Sequence, residues 1–149
     1  QLATVIGHEV GHVQAHHSAE RLSQQTAAQG ALLVGAIIAG TSDNTQKGLV
    51  MGALGAGVTY GVLMPFSRTQ ESEADMIGLR LMAQAGFNPD QSVALWENMA
   101  AADDSKTPEF LSTHPSDQTR MSALRRAMVQ AEADAEQARA QGRRPNCKL

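Results

Sequence analysis

Gly7-His8-Glu9-Val10-Gly11-His12 places two imidazoles four residues apart with a carboxylate between them. On a helix, His8 and His12 are separated by one turn plus about 40°, so both rings project from nearly one face and can share an ion. That is the ligand spacing of a tetrahedral zinc site. Glu9 lies about 100° further round the helix, outside the ligand plane but within reach of a water at an open metal position, where a general base is needed. Gly11 leaves room beside the rings for another backbone, and the mostly apolar run Ala3 to Ile6 is expected to seat the helix in a core. The plain alternative is a pair of solvated or packed helix histidines. A third ligand decides between the two.

The helix is expected to run from about Leu2 to Gln25. His16 continues the series but drifts to about 80° from His8 and reads as a surface or supporting residue, and His17 falls on the opposite face. From Ala27 to Met64 two apolar runs, Ala31 to Gly40 and Gly48 to Met64, flank a polar turn over 41–47. Each is shorter than the roughly 20 residues that span a bilayer, so residues 27–64 read as a buried or interfacial helical hairpin. Gly48, Gly52, Gly55, Gly57 and Gly61 would each cost the second run about 1 kcal/mol of helix stability. Close packing through the Gly48-xxx-Gly52 and Gly57-xxx-Gly61 spacings would offset it. Contact of 31–64 with a membrane or a hydrophobic partner is the alternative to packing on its own domain.

Beyond Pro65, Ser67 to Asp75 opens a helix dense in carboxylates, which an N-terminal charge preference alone could explain. Glu71 and Asp75, four apart, share a face. One can ligate the metal while the other accepts a hydrogen bond from the outer nitrogen of a ligand histidine and fixes its tautomer. Glu73 points elsewhere, into solvent. Met76, Leu79, Leu81 and Met82 continue the helix at core spacing to Gly86. Asn88 as N-cap with Pro89 at the first helical position predicts the next helix, with Val93, Leu95, Trp96 and Met99 buried. His114 precedes Pro115 and is therefore in an extended or turn conformation; a lone loop histidine is by default solvated. A last helix begins near Ser116, carries Arg120, Met121, Leu124 and Met128, and fades over Asp134 to Arg139 for want of large apolar anchors. Gly142 to Leu149 reads as disordered.

The 149 residues, 42% of them hydrophobic, suit one domain with an ordinary core. A net charge of -3 leaves no basic footprint for nucleic acid. Cys147 is the only cysteine and cannot form an internal disulfide. No charged stretch followed by an apolar run and a cleavage site opens the sequence, and a chain that begins inside its metal-binding helix reads as a fragment of a longer one.

HEVGH, ESEAD followed by Gly78, AGFNP, and LSTHPS with Arg120 behind it, in this order, resemble the gluzincin metalloendopeptidases that include HtpX, BepA and the CAAX prenyl proteases, over roughly Ala3 to Leu124 and most closely their soluble or periplasmic bacterial branch. The resemblance implies a zinc endopeptidase with one Zn2+ per chain, held by His8, His12 and Glu71, with Glu9 activating water and Asp75 supporting a ligand histidine. It also brings His114 to the active site, either as an extra ligand that holds a latent state or as a helper of the transition state. Arg120 then contacts substrate, braces that loop or pairs with the acid-rich helix. The implied fold is mainly α and zincin-type, with an active-site helix, a Glu-ligand helix and the Gly-rich hairpin. Its catalytic domain covers 1–128, with 129–149 a helical extension and tail, and the strand portion that precedes the metal helix in the family is expected to be missing. The implied partners are polypeptides, unfolded or misassembled proteins of the bacterial envelope or periplasm. The alternative is a latent or non-proteolytic, chaperone-like assembly factor.

Overall fold

The computed structural model describes residues 1–40, 52, 66–101, 114 and 118–146. Five helices are described: α1 (Leu2–Gln14), α2 (His17–Gly40), α3 (Arg68–Gln84), α4 (Gln91–Ala100) and α5 (Gln118–Ala140). The fold is mainly α, with no strand among the described residues. The chain divides into two compact units, Gln1–Ala15 with Pro65–Leu149, and His16–Met64.

In the first unit α1 lies along α3 with the two backbones nearly in contact. A Cβ built on Gly11 would stand 2.6 Å from the carbonyl oxygen of Ala74, and one on Gly78 would stand 2.7 Å from the carbonyl carbon of Gly7. The room that Gly11 provides is therefore filled by α3. The buried residues of α1 are Thr4, Gly7, His8, Gly11 and His12, a stripe at helical spacing. Leu2, Ile6, Val10 and Val13 form the opposite, exposed stripe. This corrects the expectation that the apolar run seats the helix: small residues and imidazoles make the interface, because only they permit so close an approach.

The core lies behind that contact, where Leu79, Met82 and Ala83 of α3 meet Trp96 of α4 and Met121, Leu124, Ala131 and Ala135 of α5. Ser67 starts α3 with a capping box, its hydroxyl accepting from the Gln70 N–H while the Gln70 side chain accepts from the Ser67 N–H. Asn88 is not the N-cap of α4. Its carboxamide oxygen accepts the Asp90 N–H, and the helix opens two residues later than the sequence suggested, at Gln91. Nor does α5 fade over 134–139: Ala131, Ala135 and Ala138 are buried, and small side chains suffice where the partner helix is close. Arg139 donates to the carbonyls of Gly86 and Phe87, and Arg143 to that of Gln84, so residues up to 143 tie the C-terminus of α3, with 147–149 outside the described residues.

The expected continuous helix from Leu2 to Gln25 is broken at Ala15–His16. His16 takes φ +57°, a left-handed conformation that usually ends helices at glycine or asparagine, so no sequence signal announced it. In the second unit α2 runs unbroken from His17 to Gly40, absorbing the first arm of the predicted hairpin. Its Leu22, Leu33, Val34 and Ile37 are exposed. The turn over 41–47 and, apart from Gly52, the second arm lie outside the described residues. Among the described residues no helix is long and apolar enough to cross a membrane.

Candidate metal centre

His8 and His12 leave the buried face of α1 one turn apart, and Glu71 meets them from the first turn of α3. His114 comes to the same point from a segment whose neighbours lie outside the described residues. All four side chains are buried, and one donor atom from each lies within 4.8 Å of the others. His8 Nε2 is 3.1 Å from His12 Nε2 and 3.2 Å from His114 Nδ1. Glu71 places Oε2 3.4 Å from His8 Nε2, and Oε1 3.4 Å from His12 Nε2 and 2.9 Å from His114 Nδ1. Four donors on a tetrahedron with bonds of about 2.0–2.1 Å are roughly 3.3–3.4 Å apart. The closest donor pairs, at 2.9–3.4 Å, are near that spacing, so these side chains could gather round a small divalent cation.

Two further observations support the fit. Asp75 Oδ1 lies 2.9 Å from His8 Nδ1. A carboxylate can only accept there, so His8 carries its proton on Nδ1 and turns the Nε2 lone pair into the cluster. Glu71 Oε2 is buried without a hydrogen bond, held by an ion pair with Arg120 Nη1 at 2.9 Å, and can still offer a lone pair to a cation. Burial alone would raise the Glu71 carboxyl, but the facing imidazoles of His114, His12 and His8 and the charge of Arg120 outweigh it and hold the carboxyl far below the carboxylate range. For His8, burial works against protonation, and the carboxylates of Asp75 and Glu71 raise its pKa nonetheless.

Glu9 is half exposed beside the cluster, its Oε1 3.4 Å from His114 Nε2. Arg120 pairs with the acid-rich helix, reaching both Asp75 and Glu71. Glu73 is exposed, as is His16, whereas His17 is buried. Two aromatic neighbours were not singled out from the sequence. The Phe66 ring lies 4.2 Å from that of His12 and stacks at 5.7 Å on that of His114, and its position just before the Ser67 cap is where an apolar anchor is common. Trp96, read only as a core residue, lies beneath the Arg120 guanidinium at 4.3 Å.

The family model described as Peptidase family M48 matches residues 1–128. Over 137 residues the chain is 36% identical to the mitochondrial metalloendopeptidase OMA1 of Schizosaccharomyces pombe, covering 91% of this chain and 38% of that protein. It is 36% identical over 134 residues to the mitochondrial metalloendopeptidase OMA1 of Arabidopsis thaliana, covering 89% and 25%. To the β-barrel assembly-enhancing protease of Escherichia coli it is 32% identical over 131 residues, covering 84% and 26%. The chain therefore spans between a quarter and two fifths of these relatives. No solved structure matches it.

Proposed function

The chain belongs to peptidase family M48, and from that premise we propose that it carries the centre of a zinc-dependent metalloendopeptidase. The observation that carries the proposal is the convergence of donor atoms from His8, His12, Glu71 and His114 within 4.8 Å, on two helices and a third segment. A buried, imidazole-rich donor set suits zinc better than the oxygen-seeking cations. Zinc, when bound, supplies Lewis acidity to the scissile carbonyl and acidifies water.

The remaining chemistry belongs to the chain. His8, His12 and Glu71 hold the ion, and Asp75 keeps His8 in the tautomer that can ligate. Glu9, half exposed at the edge of the cluster, takes the proton of the attacking water and returns it to the leaving amine. His114 has two roles open to it: its Nδ1, 2.9 Å from Glu71, would serve as an extra ligand that keeps the site latent, or its ring, with Nε2 3.4 Å from Glu9, would assist the transition state.

Substrates are polypeptides, unfolded or misassembled proteins of the bacterial envelope, met on the periplasmic side. A relative named for β-barrel assembly supports this setting; the mitochondrial relatives support the organelle instead. The exposed Leu33, Val34 and Ile37 of α2 support membrane contact within 31–64.

Glu9→Gln tests the reading. Zinc content should equal that of the wild type while hydrolysis of an unfolded polypeptide disappears; retained hydrolysis sinks the assignment. The placement of His114 favours a second reading, a latent or non-proteolytic assembly factor. His114→Ala separates them, since a rise in cleavage identifies a self-inhibited protease and absence of cleavage from both forms identifies a binding role.

A further inference from the structure

Arg120 is 1% exposed and spans both carboxylates of the α3 face. Its Nε donates to Asp75 Oδ2 at 2.7 Å and its Nη2 to Asp75 Oδ1 at 2.8 Å, a bidentate fork, while Nη1 lies 2.9 Å from Glu71 Oε2. The guanidinium carbon sits 4.3 Å from the centroid of the Trp96 ring, and that ring lies 6.4 Å from His8, edge to face. One planar cation therefore touches the carboxylate that orients His8 and the carboxylate that faces the cluster, and lies over the Trp96 ring of α4.

We propose that Arg120, seated on Trp96, is the positioning residue of the metal centre: it fixes Glu71 directly and the His8 ring through Asp75, without touching the ion. This rests on reading the cluster as a zinc site. Two effects of the guanidinium oppose each other. Its charge weakens the attraction of Glu71 for a second cation. Its fork removes rotational freedom from Asp75 before the ion arrives, because bidentate pairing fixes plane as well as distance, and its Nη1 holds Glu71 by a single ion pair. Asp75 settles which dominates. A charge meant to neutralise the site needs only proximity, whereas the geometry gives the full fork to a carboxylate that itself holds a histidine in register.

The test is zinc affinity of the full chain, measured by equilibrium competition with a chromophoric chelator, together with the visible spectrum of the cobalt(II) form and thermal melting of the metal-free form. Loss of a group that orients ligands typically weakens metal binding about 10–100-fold. Arg120→Lys, which keeps the charge but loses the fork, and Arg120→Gln, which loses both, should each weaken zinc by about that factor and alter the cobalt spectrum. Arg120→Lys at wild-type affinity, or Arg120→Gln binding zinc more tightly, would mean the charge alone matters and overturns the inference. A lowered melting temperature with unchanged zinc affinity overturns it too, in favour of a purely structural pair. If Arg120→Gln fails to fold, Arg120→Lys decides. A wild-type chain that binds no zinc overturns the metal-centre reading itself, and this inference with it.

Discussion

Adding one methyl group at Gly11 separates the role of the α1–α3 contact in the metal centre from its role in stability. The new Cβ of Gly11→Ala would meet the Ala74 carbonyl oxygen at 2.6 Å, the Ala74 Cα at 3.0 Å and its carbonyl carbon at 3.2 Å. These are backbone atoms of a helix and cannot rotate aside, so ordinary contact at 3.4 Å requires the helices to part by about 0.8 Å locally. His8 and His12 stand on one side of that opening and Glu71 on the other, 3.4 Å away. An opening of that size carries the edge to about 4.2 Å, which in a tetrahedron needs bonds of about 2.6 Å, beyond the ±0.2 Å tolerated around the ordinary length. Glu71 is then lost or strained as a ligand. Zinc affinity should fall at least about 100-fold, roughly 2.7 kcal/mol. Stability should change less, by about 0–2 kcal/mol: overpacking costs about 1–3 kcal/mol, and alanine returns about 1 kcal/mol of helix propensity over glycine. The assay is chelator competition for zinc beside thermal melting of the metal-free protein. Gly30→Ala serves as the control, since nothing lies within 4 Å of its Cβ, and it should leave zinc affinity unchanged. Zinc affinity of Gly11→Ala within threefold of the wild type would refute the claim that the close contact sets the ligand distances.

Two other substitutions address the frame that holds the site. Ser67→Ala removes the capping box at the start of α3 and should cost about 1 kcal/mol, seen as a fall of about 2–4 °C in melting temperature; an unchanged melting curve would mean the cap contributes nothing. Ala135→Asp puts a carboxylate at a fully buried position of α5, beyond the residues that match the family, and should destabilise by about 3 kcal/mol or more. A neutral result in chemical denaturation would show that this part of α5 is not integral to the core.

Much of the centre could be read from residue spacing because helices turn spacing into direction. His8 and His12 share a face at any tertiary arrangement, as do Glu71 and Asp75, and the structure brings both pairs together. The reading was weaker wherever a neighbour distant in sequence decided the outcome. The apolar residues of α1 looked like its buried face, yet the imidazole and glycine stripe is the one that packs, because the closeness of α3 is not encoded in α1. The end of α5 looked unanchored because alanine signals little burial by itself; Ala131, Ala135 and Ala138 bury fully only because another helix comes near. The break at His16 gave no signal, since neither glycine nor asparagine marks it.

By itself, then, the sequence determined a helical chain with two histidines in register, an acid positioned beside them and a pair of carboxylates one turn apart, because each depends on rotations within a single helix. Residue spacing left His114 in solvent and only the family resemblance brought it to the site; the tertiary structure decided that its Nδ1 lies 2.9 Å from Glu71 and that Arg120 joins Glu71 to Asp75 over Trp96. These contacts cross 43 and 45 residues of chain. Local periodicity carries no information over such separations, and close packing of the helices supplies it.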